Sequence, residues 1–450
     1  MKSLLYFLMI AVCCAACACD NPVPDNPEPD DPPIDDVLPG EYTNVSIKSA
    51  VDAVQPSTGL VLWSDNARNR NSKYGESISL EYAYCLPCKV VKGKVGDKIQ
   101  YDWSSFDSWL NDVASRNHQA VVRFRYEYPG SRDVDGNAGT TAVPDYIKAQ
   151  EDYTETYNKN DDGPTWYADW SNAELQWFTK QFYTDFNDVY KNDPRIAFLE
   201  VGFGHWSEYH IYGTPIKRGV NYPTDAYQKE FLEYIGGVLQ IPWLISIDAA
   251  DRSSSPIVGD TELMALGFGL FDDSFMHQSH EGGYNEDCWN KIGQGIRWQS
   301  GACGGEISYY TSADQRNFLN PDGMYGVTWE EAAGKYHITF MIANDAPSGK
   351  YGTAERFKQA SIFCGYNFAL TYLAVKGDET VARITNTGVA PIYRDAYLTV
   401  GGERSKVSLK GLLPGDELSM TFGRATDGTD VTIESDFILP TQTIQFDADL

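Results

Sequence analysis

Beyond residue 58 the chain alternates between two textures. Short apolar runs bounded by Gly, Pro, Asn or Asp give way to longer stretches whose apolar side chains recur at three- and four-residue spacing, the signatures of buried strands and amphipathic helices. The runs predict eight strands, over 59–63 (GLVLW), 79–85, 120–124 (AVVRF), 196–201, 243–247, 267–271, the segment around 302–306, and 337–342. Between them the helical period predicts helices over 106–115, 170–190, 225–239, 285–298, 329–336 and 354–363. The 170–190 helix is the clearest: Leu175, Phe178, Phe182, Phe186 and Val189 fall on one face, and Asn192-Asp193-Pro194 stops it. Eight strands alternating with helices predict an α/β fold, a (β/α)8 TIM barrel over residues 41–366. From 367 to 450 the pattern changes to alternating strands punctuated by Lys376-Gly377-Asp378, Pro414-Gly415-Asp416 and Asp427-Gly428. This predicts a C-terminal β-sandwich. With no charge cluster of its own, it reads as a packing module.

The amino end has a different character. Lys2 precedes an apolar run over 4–12, which passes into small residues and ends at Cys17 and Cys19. That pattern is a signal peptide of the lipoprotein type over 1–19, with Cys17 or Cys19 acylated to become the mature N-terminus. The alternative is a cleaved, secreted chain without a lipid. Residues 20–36 carry seven acidic residues, six prolines and no basic residue, so 20–40 reads as a solvated, stiffened tether. Anchored this way, the folded part stands in the cell envelope, at the outer membrane or cell surface, with no transmembrane helix in the mature chain.

A net charge of −27 argues against nucleic acid as a partner, because phosphate binding needs clustered Lys and Arg. It favours a neutral ligand, and the 13% of aromatic residues suits a cleft that stacks sugars. Cys85-Leu86-Pro87-Cys88 has redox or zinc spacing, but no second pair follows at ligand spacing, so a local disulfide or buried thiols are expected. Asp133-Val134-Asp135-Gly136-Asn137 resembles the start of a calcium loop and lacks its distal glutamate. No nucleotide, dinucleotide or zinc-protease motif is present. No metal or cofactor is expected.

Barrel enzymes carry their reacting groups at the carboxyl ends of the strands. Strand four runs into Gly202-Phe203-Gly204-His205-Trp206-Ser207-Glu208-Tyr209-His210, and strand seven into Gly304-Gly305-Glu306. Two carboxylates facing across one mouth are what glycoside hydrolysis needs: one protonates the leaving oxygen and the other attacks or activates water. Arg123, Arg125 and Tyr126 follow strand three, Asp248 follows strand five, and Asp272, Asp273 and His277 follow strand six. Together with His205, Trp206, Tyr209 and His210 they are candidates to line a cleft that stacks a sugar ring and binds its hydroxyls. The plainer alternative for Glu208 is a structural carboxylate bonded to backbone or to Arg125.

Acid on strand four and nucleophile on strand seven resembles the barrel glycoside hydrolases of clan A, which implies acid/base for Glu208 and nucleophile for Glu306. In that clan an asparagine precedes the acid, where this chain has Ser207. The ordered segments GFGHWSEYH (202–210), FDDSFM (271–276), GGEIS (304–308), HITFMIAND (337–345), CGYNFALT (364–371) and ITNTGVAPIYRD (384–395) resemble an uncharacterised bacterial family, a domain of unknown function that joins a glycosidase-like barrel to a small C-terminal β domain. Its strand-four motif reads Gly-x-Trp-Gly-Glu-Trp-His; here Ser207 and Tyr209 replace the second glycine and the second tryptophan, while Glu208 and His210 carry over. The expectation is an envelope glycoside hydrolase acting on an oligo- or polysaccharide. The alternatives are a glycan-binding lipoprotein without catalysis and a scaffold with a closed barrel mouth.

Overall fold

The computed structural model describes residues 41–130, 141–160, 163–343 and 350–450. The signal segment with Cys17 and Cys19, the tether and the calcium-like segment 133–137 lie outside the described residues. Eight parallel strands close into a barrel in chain order: β1 (Gly59–Trp63), β2 (Leu80–Cys85), β3 (Gln119–Phe124), β4 (Ile196–Glu200), β5 (Trp243–Ser246), β6 (Gly269–Phe275), β7 (Cys303–Ile307) and β8 (Phe340–Ile342). β8 pairs back onto β1 through Phe340↔Gly59 and Ile342↔Val61, which leaves no open edge. The (β/α)8 expectation holds, and so does the position of every strand to within a few residues.

The outer ring comprises α1 (Ser64–Tyr74), α2 (Ser104–Ala114), α3 (Ala173–Tyr190), α4 (Asp225–Val238), α5 (Thr261–Met264), α6 (Tyr284–Gly293), α7 (Trp329–Lys335) and α8 (Ala354–Ile362). Their starts are set by local chemistry. The Asn172 side chain accepts from Leu175 N at 2.9 Å ahead of α3, and Thr328 with Glu331 forms a reciprocal capping box on α7. On α3 the buried face is Leu175, Phe178, Phe182 and Phe186. Val189 is 55% exposed in the last turn, and the neighbouring Tyr190 takes the core position. No helix of the described residues is long and apolar enough to cross a membrane.

Successive strand side chains point to opposite faces, and two cores result. Leu60, Leu62, Val122, Phe124 and Leu199 point outward against the helices. Val61, Leu80, Val121, Phe198, Leu244, Phe271 and Phe340 point inward, where the Phe198 and Phe340 rings stack at 5.0 Å. Above that apolar layer, toward the carboxyl ends, the inward positions become Tyr82, Arg123, Glu200, Asp273 and Glu306.

The C-terminal strands are β9 (Phe368–Lys376), β10 (Glu379–Asn386), β11 (Tyr397–Val400), β12 (Glu403–Arg404), β13 (Glu417–Phe422), β14 (Val431–Glu434) and β15 (Phe446–Asp449). One sheet runs β13-β10-β9-β15 and is extended by Lys48–Ser49, with Thr43–Asn44 pairing on β9; the other runs β12-β11-β14. They enclose one core, with Leu370, Ile384 and Phe422 facing Leu398 and Ile433. Residues 43–49 therefore pair with the sandwich and not with the barrel.

The sandwich seals the barrel floor. Tyr393 joins the interior cluster and donates to Trp298 O at 2.6 Å; Gln119, the first residue of β3, donates to Phe437 O at 2.9 Å; and His337 Nδ1 lies 2.7 Å from Val389 O just ahead of β8. All three contacts sit at the amino ends of strands. The carboxyl ends are left for chemistry.

Candidate active site

Arg123 stands at the centre of the barrel mouth. Its side chain is fully buried, its guanidinium carbon lies 4.1 Å over the Phe271 ring, and it gathers three carboxylates from the ends of two strands, β4 and β6. Nε donates to Glu200 Oε2 at 2.7 Å, and Nη1 donates to Glu208 Oε1 at 3.0 Å and lies 2.7 Å from Asp273 Oδ2. Tyr82 donates to Glu200 Oε2 at 3.0 Å. Glu306 completes the group from β7. Its Oε1 accepts from Trp63 Nε1 at 3.2 Å and from the Tyr309 hydroxyl.

Three acidic groups share one buried cation, and for the glutamates burial outweighs its attraction. Burial pushes the Glu208 carboxyl well above its ordinary range, and Asp273 adds to the shift while Arg123 opposes it. Glu306 is raised well above its ordinary range by burial and then by Asp273, with the Tyr309 and Trp63 donors pulling the other way. Burial lifts Glu200 to about 7 against the attraction of Arg123. Asp273 and Arg123 act on Glu208 and Glu306 alike, which ties the two glutamates to one electrostatic site.

The backbone under both glutamates is unusual. In the loop after β4, Trp206, Ser207 and Tyr209 take φ of 54°, 67° and 63°, a region that favours glycine. Hydrogen bonds hold it there: Ser207 Oγ donates to Phe124 O at 2.9 Å, and His205 N donates to His210 O and Tyr209 N to Phe203 O at 2.9 and 2.8 Å. Ser207 thus fills a left-handed position where the similar family has glycine, and its hydroxyl compensates by bonding to β3. Ahead of Glu306, Gly305 has φ +133°, and a Cβ there would meet Asp272 O at 2.0 Å. Gly305→Ala is therefore expected to destabilise the fold by about 2–3 kcal/mol in chemical denaturation. A stability equal to wild type would contradict the close packing of β6 on β7.

Of the residues expected to line the mouth, several come together there. Glu208 and Asp273 do so through Arg123, and Glu306 faces the same mouth on Trp63 and Tyr309. His210 Nδ1 lies 2.7 Å from Asp248 Oδ2, and Asp248 also acts on Glu208. The half-buried Trp206 stands beside His210 at 5.8 Å. Glu208 pairs with Arg123 and not with Arg125; the latter lies against the rings of Tyr84 and Tyr128.

Other expected residues point elsewhere, Asp272 by strand alternation on β6 and the rest by the course of the loops after the strands. Tyr126 turns out of the barrel onto Trp170, ring centroids 5.6 Å apart. Tyr209 is buried against Phe203 at 5.8 Å. His205 is buried, stacks on Tyr167, and is held neutral with a pKa lowered to about 3 by burial and then by His210. Asp272 faces away from its neighbour Asp273 and takes His280 Nε2 at 2.8 Å and Asn285 Nδ2 at 2.7 Å. His277 Nε2 lies 3.1 Å from that same Asn285 side chain. Asp272 and His277 thus brace the segment after β6. The five cysteines among the described residues are free thiols.

Sequence reading passed over Trp63, Tyr82, Tyr84, Tyr128, Glu200 and Tyr309. The signal was there in part: Tyr82-Ala83-Tyr84 at period two must put both rings on one face of β2. They form a wall of rings across the mouth, Trp63 to Tyr84 at 5.1 Å, Tyr84 to Tyr128 at 6.3 Å, and Tyr128 to Trp206 at 5.9 Å. It connects the neighbour of Glu306 with the neighbour of Glu208. A separate groove of about 910 Å³ opens between α1, α8 and residues 441–445. Charges of both signs line it, Lys73, Arg116 and Lys358 with Glu76 and Glu355, and Arg116 is already paired with Glu81 and Asp112.

No family model matches the chain, and no curated protein matches it. Solved structures that resemble it include the β-amylase catalytic domain from Paenibacillus polymyxa, at 12% identity and TM-score 0.42, covering 69% of this chain and 99% of that one. Endo-glycoceramidase II from Rhodococcus sp. resembles it at 11% identity and TM-score 0.40, covering 85% and 100%. The endo-1,4-β-mannanase from Rhizomucor miehei does so at 12% identity and TM-score 0.39, covering 71% and 97%. These superpositions are loose. The functional reading rests on the residues of this chain.

Proposed function

We propose that the protein is a glycoside hydrolase of the cell envelope, acting on an oligo- or polysaccharide with Glu208 as acid/base and Glu306 as nucleophile. The observation that carries this reading is that two buried glutamates, one in the loop after β4 and one on β7, both feel Asp273 and Arg123 at one barrel mouth. Burial and then Asp273 raise the Glu208 carboxyl well above its ordinary range, the direction a general acid requires. Two donors on Glu306 Oε1 orient the carboxylate and oppose part of the upward push from burial and Asp273. Tyr309, Tyr310 and Tyr284 expose half or more of their surface on the segments after β6 and β7, which suits stacking on sugar faces. The lipoprotein signal ending at Cys17 or Cys19 supports placement on the outer membrane or cell surface, where glycans are the abundant substrates.

Glu208→Gln tests the assignment. Turnover of a natural glycan is expected to fall about 10²–10⁴-fold. An acidic phenol leaves without a proton, so with such an aryl glycoside kcat/KM, which reports the bond-breaking step, is expected to fall far less. Equal losses on both would remove Glu208 as the acid. A second reading is a glycan-binding barrel without catalysis, and the hydrogen bond from Arg123 to Glu208 favours it, since a guanidinium at 3.0 Å competes with the leaving oxygen. Calorimetric binding with no product on long incubation would decide for that reading.

A further inference from the structure

Three arginines are buried among the described residues: Arg123, Arg125 and Arg297. Arg123 meets three carboxylates. Arg297 donates to Ile292 O at 3.0 Å, Leu266 O at 2.9 Å and Met264 O at 2.7 Å. Arg125 has neither kind of partner. It is 7% exposed, its buried Nε reaches no acceptor, and after burial the groups that act on it most are Tyr84, Tyr128, Cys88 and Tyr82. Its guanidinium carbon lies 4.5 Å from the Tyr128 ring centre and 5.4 Å from that of Tyr84. Ring faces recover part of the desolvation of a cation, but they leave its planar fork of donors unused. A buried charge without a hydrogen-bonded partner is unfavourable and calls for an occupant.

The position says what that occupant belongs to. Arg125 is two residues beyond Arg123 on the same face of the strand, so it lies at the mouth and above the carboxylate cluster. Tyr128 links it to Trp206, beside Glu208. Glu200, Glu208 and Asp273 are all drawn to Arg123, so none of them occupies the second guanidinium. We propose that Arg125 reads an anionic substituent, a carboxylate or a sulfate ester, on the glycan held in this mouth. The proposal rests on the glycosidase reading and adds a substrate class to it. Both anions match the two parallel donors of a guanidinium. The overall charge of −27 disfavours polyanions at long range, but it is screened over about 8–10 Å at ordinary ionic strength, whereas Arg125 acts at contact.

Two matched pairs of probes test the proposal by calorimetry on the full chain: oligogalacturonate against its methyl ester, and κ-carrageenan oligosaccharide against its desulfated form. At least one charged member is expected to bind about 10- to 100-fold more tightly than its neutral partner. Arg125→Gln should abolish that ratio, and Arg125→Lys should retain part of it. The responding pair tells carboxylate from sulfate. Equal binding within both pairs, or a ratio that survives Arg125→Gln, overturns the proposal and leaves the glycosidase reading standing. Failure to bind any of the four probes or a neutral glycan panel removes both. A ligand-free measurement guards against a purely structural arginine: Arg125→Met is expected to leave the melting temperature unchanged or raised, because it removes an unpaired buried charge. A fall of about 4 °C or more would mark Arg125 as a packing residue and overturn the proposal.

Discussion

Arg123→Gln is expected to lower the stability of the fold by about 3–5 kcal/mol at neutral pH, with a deficit that shrinks on acidification. Arg123 is the cation common to Glu200, Glu208 and Asp273, and its removal leaves those groups in a low-dielectric interior without a counter-charge. The pH dependence has a definite sign. Glu200 already has its folded value raised from 4.5 to about 7, and a carboxyl raised on folding stabilises below its unfolded value and loses that contribution as pH rises toward the folded one. Without Arg123 the values of Glu200 and Glu208 rise further, since Arg123 lowers both. The variant should therefore approach wild-type stability near pH 4.5 and diverge from it through pH 7 and beyond. Urea denaturation at pH 5 and pH 8 measures this, and an equal deficit at both would sink the electrostatic account. Adding Glu200→Gln should restore part of the loss, a coupling that a double-mutant cycle isolates.

The architecture was legible because it is written in periodicity. All eight barrel strands were foreseen, since a parallel strand buried on both faces is a compact apolar run such as GLVLW or AVVRF, and the sandwich announced itself through turn residues. The site was legible only in outline. Strand ends point to Glu208 and Glu306 because glycines precede them, and the packing of Gly305 against Asp272 O gives that signal its physical cause. Which member of a pair faces inward is a question of register, and there the reading failed: Tyr126, His205, Tyr209, Asp272 and His277 lie next to mouth residues in sequence yet turn toward helices or loops. The reverse error hid Glu200, which sits in an apolar run and reads as the end of a core strand until Arg123 is seen beside it. Long-range pairing also put residues 43–49 on the sandwich, and no local pattern encodes a partner more than 300 residues away.

The largest expected effect on activity belongs to Glu306→Ala. Loss of a nucleophile on which no other group can substitute lowers turnover by orders of magnitude, here on the order of 10⁵. The fold should not suffer in proportion. Burial and Asp273 hold the Glu306 carboxyl well above its ordinary range, so at neutral pH this group opposes folding, and its removal should leave stability unchanged or raise it. Such a residue, electrostatically unfavourable in place and indispensable in reaction, is the pattern expected where function is taken at the expense of stability. Sodium azide adds a stereochemical reading. In a retaining enzyme the anion enters the space vacated by the carboxylate and yields a glycosyl azide of configuration opposite to the wild-type product. Turnover of Glu306→Ala within tenfold of wild type would remove Glu306 from the reaction. The pairing with Glu208 would fall with it, because a lone acid at the mouth of a barrel has no partner across the scissile bond.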